Sequence, residues 1–251
     1  MKILMVNPNL TAAITAMMAA VARAAAAPGT EIMPITGEFG AQVIGSRAEN
    51  AIAQHGIMDL VARHHAGCDA VVLGVSLDTA LFALRELLSV PVVGLTEAGL
   101  LTACMAGSRV GLITLGGRMI PVYQDLVRTY GLEHRVVSVG AIENSPLQAT
   151  TDPEAVKKSV AAACLEMVER DCVEAIVLAG AALAGFSTSL RETCPVPLID
   201  CMACAVPMAE MLVRLKLAKA TTGSLAHPGA RVLRGVSSPL MGLFDPAKTK
   251  P

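Results

Sequence analysis

The chain contains two similar segments, one in each half of its length. The first is Asp69-Ala-Val-Val-Leu-Gly-Val-Ser-Leu-Asp-Thr79, and the second is Glu174-Ala-Ile-Val-Leu-Ala-Gly-Ala-Ala-Leu183. Each begins with an acidic residue, continues as a short apolar run of β-prone residues, and ends in small residues. Such runs between helical segments are typical of strands buried on both faces of a parallel sheet. The repetition therefore predicts one α/β unit that is used twice.

Two further pairs of segments keep nearly the same spacing in the two halves. Val90-Pro-Val-Val-Gly94 is matched by Val196-Pro-Leu-Ile-Asp200, and the start of the chain, Lys2 to Asn9, is matched by Arg109 to Gly117. Alternating strands and helices with short loops favour parallel sheets with right-handed crossovers. We therefore predict an α/β fold with two lobes, each a parallel four-stranded sheet flanked by helices.

The lobes are predicted to exchange one segment of chain. We place the first lobe at residues 1–97 plus 206–251 and the second at residues 98–205, because the helix after Ala205 is expected to return the chain to its first half. The two copies then face each other across a cleft. We expect the functional site in that cleft.

Composition excludes several classes of partner. The formal net charge is −1 and no cluster of Lys and Arg occurs, so neither nucleic acid nor an anionic membrane is an expected partner. The longest stretch without a charged residue, Ile3 to Ala22, is interrupted by Asn7-Pro8-Asn9, so no membrane span is expected. The chain has 7 cysteines, several in apolar segments, which is typical of buried thiols in a reducing cytoplasm.

No metal or cofactor is expected. The 5 histidines have no spacing that suits metal ligation. No Gly-rich nucleotide-binding motif follows the first predicted strand, so NAD and ATP are not implied.

Ligands of open parallel sheets bind beyond the carboxyl ends of the strands. In this chain those ends are rich in small residues and backbone N–H donors and poor in charge. The candidate residues there are Asn7, Pro8, Asn9, Val75, Ser76, Thr114, Gly116, Gly117, Gly180, Ala181 and Cys201. Such a site can hold a small carboxylate or imide through N–H groups at helix starts.

The segment that begins at Thr114 is the best predicted anion site. Gly116 and Gly117 open a helix, and Arg118 can pair with a ligand carboxylate or lie in solvent. Tyr123, one turn into that helix, can point its hydroxyl into the cleft or pack in the core.

Five motifs, in this order and spacing, resemble the Asp/Glu/hydantoin racemase superfamily, and most closely its hydantoin and allantoin racemases. They are Asn7-Pro-Asn-Leu-Thr11, Asp69 to Asp78, Pro91-Val-Val-Gly94, Ala175 to Ala184 and Pro197-Leu-Ile-Asp200. The resemblance covers nearly the whole chain. It implies a pseudo-twofold axis between the lobes, a small carboxylate or hydantoin-like ligand, no cofactor, and a homo-oligomer. It also implies racemisation or epimerisation in which one cysteine thiolate removes a proton and a second cysteine thiol returns one on the opposite face.

The chain departs from the superfamily at both cysteine positions. Aligned without gaps, these positions are Val75 and Gly180, and neither following residue is a cysteine. Valine and glycine cannot exchange a proton, so the two-thiol mechanism is not carried over. Three substitutes remain, each with a structural alternative. Ser76 can donate to substrate or cap a loop, Asp78 can act on the ligand or cap the next helix, and Cys201 can supply a proton or pack in the core.

Three functions follow from these residues. The first is a racemase or epimerase whose proton carriers have been replaced. The second is a decarboxylase or lyase of the same superfamily, in which only one face needs a proton donor. Relatives of that kind keep the second cysteine, so Gly180 argues against it. The third is a non-catalytic homologue that binds a small ligand.

Overall fold

The computed structural model describes residues 1–245, which form two parallel four-stranded sheets between helices. The strands of the first sheet are β1 Lys2–Asn7, β2 Glu31–Thr36, β3 Ala70–Leu73 and β4 Val92–Gly94. Those of the second sheet are β5 Val110–Leu115, β6 Val136–Ile142, β7 Ala175–Leu178 and β8 Leu198–Asp200. The strand orders are β2-β1-β3-β4 and β6-β5-β7-β8, so the two sheets have the same topology. The predicted fold class is confirmed.

Ten helices of the described residues connect and cover the strands. They are α1 Ala12–Ala25, α2 Arg47–His64, α3 Leu81–Leu87, α4 Leu95–Ala106, α5 Ile120–Thr129, α6 Gln148–Thr151, α7 Pro153–Asp171, α8 Phe186–Leu190, α9 Cys201–Leu215 and α10 Ser238–Gly242. Short 3₁₀ turns cover Gly117–Met119 and Ala181–Leu183. None of these helices is long and apolar enough to cross a membrane.

Local sequence explains several helix starts. The Ser46 hydroxyl accepts from the Glu49 N–H and caps α2, and the Glu49 carboxylate accepts from the Ser46 hydroxyl and the Gly45 N–H. Asp152 accepts from the Ala155 N–H, and Pro153 occupies the first position of α7. Each lobe therefore contains helices whose first turns are specified by a few adjacent residues.

The two lobes share one continuous core. Strands β3 and β7 are buried along their whole length, as the apolar runs predicted. A single cluster includes Met5 and Val72 of the first sheet and Leu112 and Val177 of the second. A second cluster covers the other face of the first sheet and includes Leu240 of α10. The sheets are thus held in a defined relation, which determines how their carboxyl ends face each other.

The segment after residue 205 contacts the first lobe. Helix α9 packs on α1 and β3, and α10 packs on α2. Helix α9 also packs on α4 and β8, and it runs without interruption through the predicted boundary at 205–206. The last six residues of the predicted first lobe, 246–251, lie outside the described residues.

Candidate functional site between the lobes

The carboxyl ends of the two sheets line one cavity of about 270 Å³. Val75 follows β3 and Gly180 follows β7, and both residues line this cavity from opposite lobes. The other predicted site residues that line it are Asn9, Ser76, Thr114, Gly116, Arg118, Tyr123 and Ala181. The arrangement brings the two repeated strand ends to one shared space.

A larger cavity, about 670 Å³, lies at the opposite end of the first sheet. Its lining is mostly apolar and includes Pro91 before β4 and Leu217 after α9. The Lys219 ammonium there donates to the carbonyls of Arg85, Glu86 and Leu88, so its donors are used within the fold. We place the site in the smaller cavity, because the carboxyl ends of the strands and the polar groups converge there.

The Asn7-Pro8-Asn9 segment divides into an internal support and a cavity residue. The Asn7 side chain is fully buried and donates to Asn9 Oδ1 at 3.0 Å and to Thr15 Oγ1 at 2.9 Å. Asn9 Oδ1 also accepts from the Thr11 N–H at the start of α1. Asn7 and Pro8 therefore lie outside the cavity lining and shape the turn, whereas Asn9 reaches the cavity.

Tyr123 joins the two lobes beside the two family cysteine positions. Its hydroxyl lies 2.6 Å from Ser76 Oγ, next to Val75, and 3.2 Å from the carbonyl oxygen of Ala179, next to Gly180. Burial raises the pKa of Tyr123 to about 12, although the hydrogen bond with Ser76 lowers it. The phenol is thus a protonated group that connects the polar strand end of the first lobe to the second lobe.

Asp78, a predicted catalytic candidate, does not line the cavity. Its carboxylate accepts from the N–H groups of Thr96 and Glu97 at 2.9 and 2.8 Å and from the Tyr130 hydroxyl at 2.5 Å. Burial raises its pKa to about 7, while these three donors lower it. The structural alternative is the one that fits, but Asp78 caps α4 rather than the adjacent α3. A Cβ on Gly94 would lie 2.6 Å from Asp78 Cγ, so this contact requires glycine there.

Cys201 also lies away from the cavity. Its Sγ is buried and donates to the Leu178 carbonyl at 3.4 Å, beneath Gly99 of α4. Burial raises the pKa of the Cys201 thiol well above its usual value, and the nearby Asp200 raises it further. The packing alternative therefore describes Cys201, and the expected proton donor has no path to a ligand.

The predicted anion site is occupied by the protein's own groups. The Gly116 N–H donates to the Ile142 carbonyl at 2.7 Å, and the Gly117 N–H donates to Glu143 Oε1 at 3.1 Å. Gly117 itself is not part of the lining. The Arg118 side chain does line the cavity, and no ion pair within residues 1–245 involves it.

Sequence reasoning missed the loop after β6. Glu143, Asn144 and Ser145 line the cavity, and Glu143 is the only carboxylate among the lining residues that the structure describes. The sequence pattern predicts a strand from Arg135 to Val139, whereas β6 runs from Val136 to Ile142. With the correct end, Glu143 would have been recognised as a residue at the carboxyl end of a strand. Between Met1 and Asp245, no group of three His, Cys, Asp or Glu side chains is arranged to hold a metal.

Comparison with known proteins agrees with the geometry. Residues 3–209 match the family described as Asp/Glu/Hydantoin racemase. The hydantoin racemase of Pseudomonas sp. (strain NS671) is 32% identical over 216 residues, which cover 86% of this chain and 87% of the relative. The solved allantoin racemase of Klebsiella pneumoniae has a TM-score of 0.91 at 32% identity, with 98% and 99% of the two chains covered.

A second solved structure points the same way. The allantoin racemase of Pseudomonas fluorescens has a TM-score of 0.91 at 35% identity and covers 94% of this chain and 100% of its own. These relatives support a racemase, and therefore an isomerase, of this superfamily, as the motifs predicted. The chain belongs to the Asp/Glu/hydantoin racemase family.

Proposed function

We propose that this protein is a cofactor-independent racemase or epimerase of a small hydantoin-like or carboxylate substrate, with proton carriers other than cysteine. The observation that carries the proposal is the cavity shared by Val75 and Gly180, with the Tyr123 hydroxyl between their neighbours Ser76 and Ala179. Inversion at carbon needs a base on one side of the substrate and an acid on the other. Few of the described residues that line the cavity have ionisable side chains, so few can exchange a proton with a substrate.

Ser76 and Tyr123 form the proposed acid. When the single Tyr123 proton points at Ser76 Oγ and not at the Ala179 carbonyl, the Ser76 proton is free to point at a ligand. As the Ser76 Oγ–H bond breaks and a C–H bond forms at the stereocentre, Ser76 takes the Tyr123 proton. The phenol is the more acidic of the two groups, so it makes Ser76 a better donor than an isolated hydroxyl.

Glu143 is the proposed base. Its carboxylate lines the second-lobe side of the cavity and is held by the Gly117 N–H. It takes the proton when the C–H bond breaks, and the electron pair moves into the adjacent carbonyl to form an enolate. Arg118, on the same side, stabilises the enolate oxygen by its charge.

The position of Glu143 favours a neutral ligand over an anion. Its carboxylate already uses the N–H at the helix start where a ligand carboxylate was expected. A ligand carboxylate in the same cavity is repelled by Glu143, which offsets its attraction to Arg118. A ring with N–H and C=O groups, as in a hydantoin, instead donates to Glu143 and accepts from Ser76 and Arg118.

Solvent exchange tests the proposal. A panel of enantiomerically pure 5-substituted hydantoins is incubated with protein in deuterated buffer at neutral pH, beside a buffer-only control. We expect deuterium at the stereocentre together with loss of optical rotation, both faster than in buffer. Exchange at the buffer rate with every compound would contradict a racemase.

The residues at the two family cysteine positions favour one other candidate, a binding protein without turnover. Neither Val75 nor Gly180 carries a proton that could be exchanged. Thermal stabilisation by a hydantoin, with no deuterium uptake, would support binding alone. The decarboxylase alternative predicts release of carbon dioxide from a disubstituted malonate.

We also propose that the protein is cytoplasmic and forms a homo-oligomer. All 7 cysteines are free thiols, which suits a reducing compartment. Apolar side chains on α4 and α9 are exposed, among them Leu101, Met105 and Leu215. Light scattering coupled to size-exclusion chromatography measures the oligomeric state.

A further inference from the structure

Both tyrosines of the chain belong to α5 and its end. Of these 2 residues, Tyr123 lies in the first half of α5, and Tyr130 is its C-cap residue. The separation between them corresponds to about two helical turns, so the two phenols leave α5 on the same side. That side faces the first lobe.

The two phenols bind two residues of one loop. Tyr123 bonds to Ser76 at 2.6 Å, and Tyr130 bonds to Asp78 at 2.5 Å, so a pair of side chains on the second lobe matches a pair two residues apart on the first. The Tyr130 ring also lies 6.4 Å from the Phe82 ring of α3, centroid to centroid. Helix α5 therefore holds the loop after β3 at two points.

The loop has a backbone that needs such support. Asp78 has φ +48° and Ala80 has φ +61°, both in the left-handed region that residues other than glycine enter at a cost. The Asp78 carboxylate compensates by binding the first N–H groups of α4 and the Tyr130 hydroxyl. The backbone carbonyl of Ser76 accepts from Thr96 Oγ1 at 2.5 Å. These bonds converge on the position of Ser76.

We infer that Tyr130 is a positioning residue for Ser76. It holds Asp78, and through Asp78 the loop that carries Ser76, without itself lining the cavity. The Tyr130 hydroxyl is one of three donors to a buried carboxylate, so its loss leaves Asp78 with fewer bonds and the strained loop with fewer contacts. The inference rests on the proposed function only where it concerns turnover.

Tyr130→Phe tests the inference because it keeps the ring against Phe82 and removes only the hydroxyl. We expect amide hydrogen exchange in residues 75–79 to become at least about tenfold faster, since the loop opens more easily. In the deuterium-uptake assay with a 5-substituted hydantoin, we expect kcat to fall about tenfold while KM changes less than about twofold. A fall in kcat with a nearly constant KM distinguishes misplacement of Ser76 from loss of substrate binding.

Arg128→Ala is the matched control on the same helix. Arg128 is exposed and pairs with Asp125 one turn earlier, so neither measurement is expected to change. Asp78→Asn is a second variant, since it keeps the side chain's shape and weakens the same bonds. It is expected to shift both measurements in the same direction as Tyr130→Phe.

Unchanged amide exchange in residues 75–79 of Tyr130→Phe would overturn the inference, whatever Asp78→Asn shows. A rise in KM at constant kcat would overturn it as well, because Tyr130 would then act on binding. If the wild-type protein turns over none of the hydantoins, the proposed function fails. The amide-exchange measurement still decides whether Tyr130 holds the loop.

Discussion

The two copies of the repeated unit differ in the residues that follow their strands β3 and β7. After β3 the chain continues as Val75-Ser-Leu-Asp78, a polar loop tied by hydrogen bonds to α4 and α5. After β7 it continues as Gly180-Ala-Ala-Leu183, a short 3₁₀ turn of small and apolar side chains. The two copies follow the same backbone path, but the side chains at these strand ends differ in polarity. The second lobe instead presents its polar groups from the start of α5 and from the loop after β6.

The largest effect is expected when both strand ends are given the same side chain, a cysteine. In Val75→Cys/Gly180→Cys, we expect hydantoin racemisation to rise by about 10²–10⁴-fold, because a thiol acid and a thiol base then face each other. Gly180 has φ 179°, an extended backbone, and an added Cβ would meet the ends of Leu115 and Leu183 at 3.2 and 3.3 Å. Deuterium uptake and optical rotation measure the gain.

The two single variants are the controls for the double cysteine variant. Each supplies a thiol on only one side of the cavity, so each is expected to give a much smaller gain. A single variant as fast as the double would show that the two strand ends do not face one substrate.

The next largest effect is expected at Ser76, the polar member of the first loop. Ser76→Ala should lower deuterium uptake by about 10²-fold, because the proposed acid is lost. Its unfolding free energy should fall by only about 1 kcal/mol, the value of one hydrogen bond. Kinetics and urea unfolding measure the two quantities.

Ala181→Ser is the mirror control, since residue 181 occupies in the second copy the place of Ser76 in the first. It adds a hydroxyl at the apolar strand end, where Tyr123 bonds the Ala179 carbonyl and not the side chain of residue 181. We expect uptake within about twofold of wild type, since a serine without an activating neighbour is a poor proton carrier.

A smaller effect is expected in the pH dependence of stability, which depends on the Asp78 loop. Folding raises the pKa of Asp78 from 3.8 to about 7 through burial, so the native state binds more protons than the unfolded state between these values. The free energy of unfolding should therefore fall, by roughly 3 kcal/mol, as pH rises from about 4 to 7. The ionisable groups around Asp78 are Glu97, Arg85, Tyr123, Tyr130 and Cys201.

Urea unfolding between pH 4 and 8 checks this dependence. Asp78→Asn should flatten the curve, because the titrating group is gone. An equally steep fall in that variant would assign the dependence to another group. The equivalent segment of the second copy, Gly180 to Leu183, has no titratable side chain and cannot contribute to this pH dependence. The measurement therefore also reports the difference between the two copies.

The smallest change in binding affinity is expected at Glu143, although removal of this proposed base should abolish turnover. Glu143→Gln keeps an acceptor for the Gly117 N–H and removes the charge. Affinity for an N-carbamoyl amino acid, the ring-opened anion of a hydantoin, should rise about twofold to fivefold, a modest change because Glu143 is exposed. Affinity for the hydantoin itself should change less. Calorimetric titration of the matched pair measures both, and equal shifts would refute a charge effect.

Most of the fold could be predicted because local sequence patterns specify its strands and helix starts. The apolar runs of β3 and β7 are buried completely, and Asp200, a residue type that favours the N-cap position, accepts from the N–H groups of Met202 and Ala203. The predicted end of β6 was wrong because Gly140 and Ala141 continue an edge strand with small, partly exposed residues, where the apolar signal is weak. That error concealed Glu143.

The repeat, the two parallel sheets and the placement of Val75 and Gly180 at equivalent strand ends were determined by the sequence alone, because each depends on runs of adjacent residues. Only the tertiary structure decided which polar groups reach the cavity. Cys201 and Asp78 stand beside strand ends in sequence, yet both side chains point into packed interiors. Tyr123, remote from Ser76 in sequence, meets it across the lobes. Side-chain direction and contacts between distant segments depend on how the two sheets pack together, and no local pattern records that.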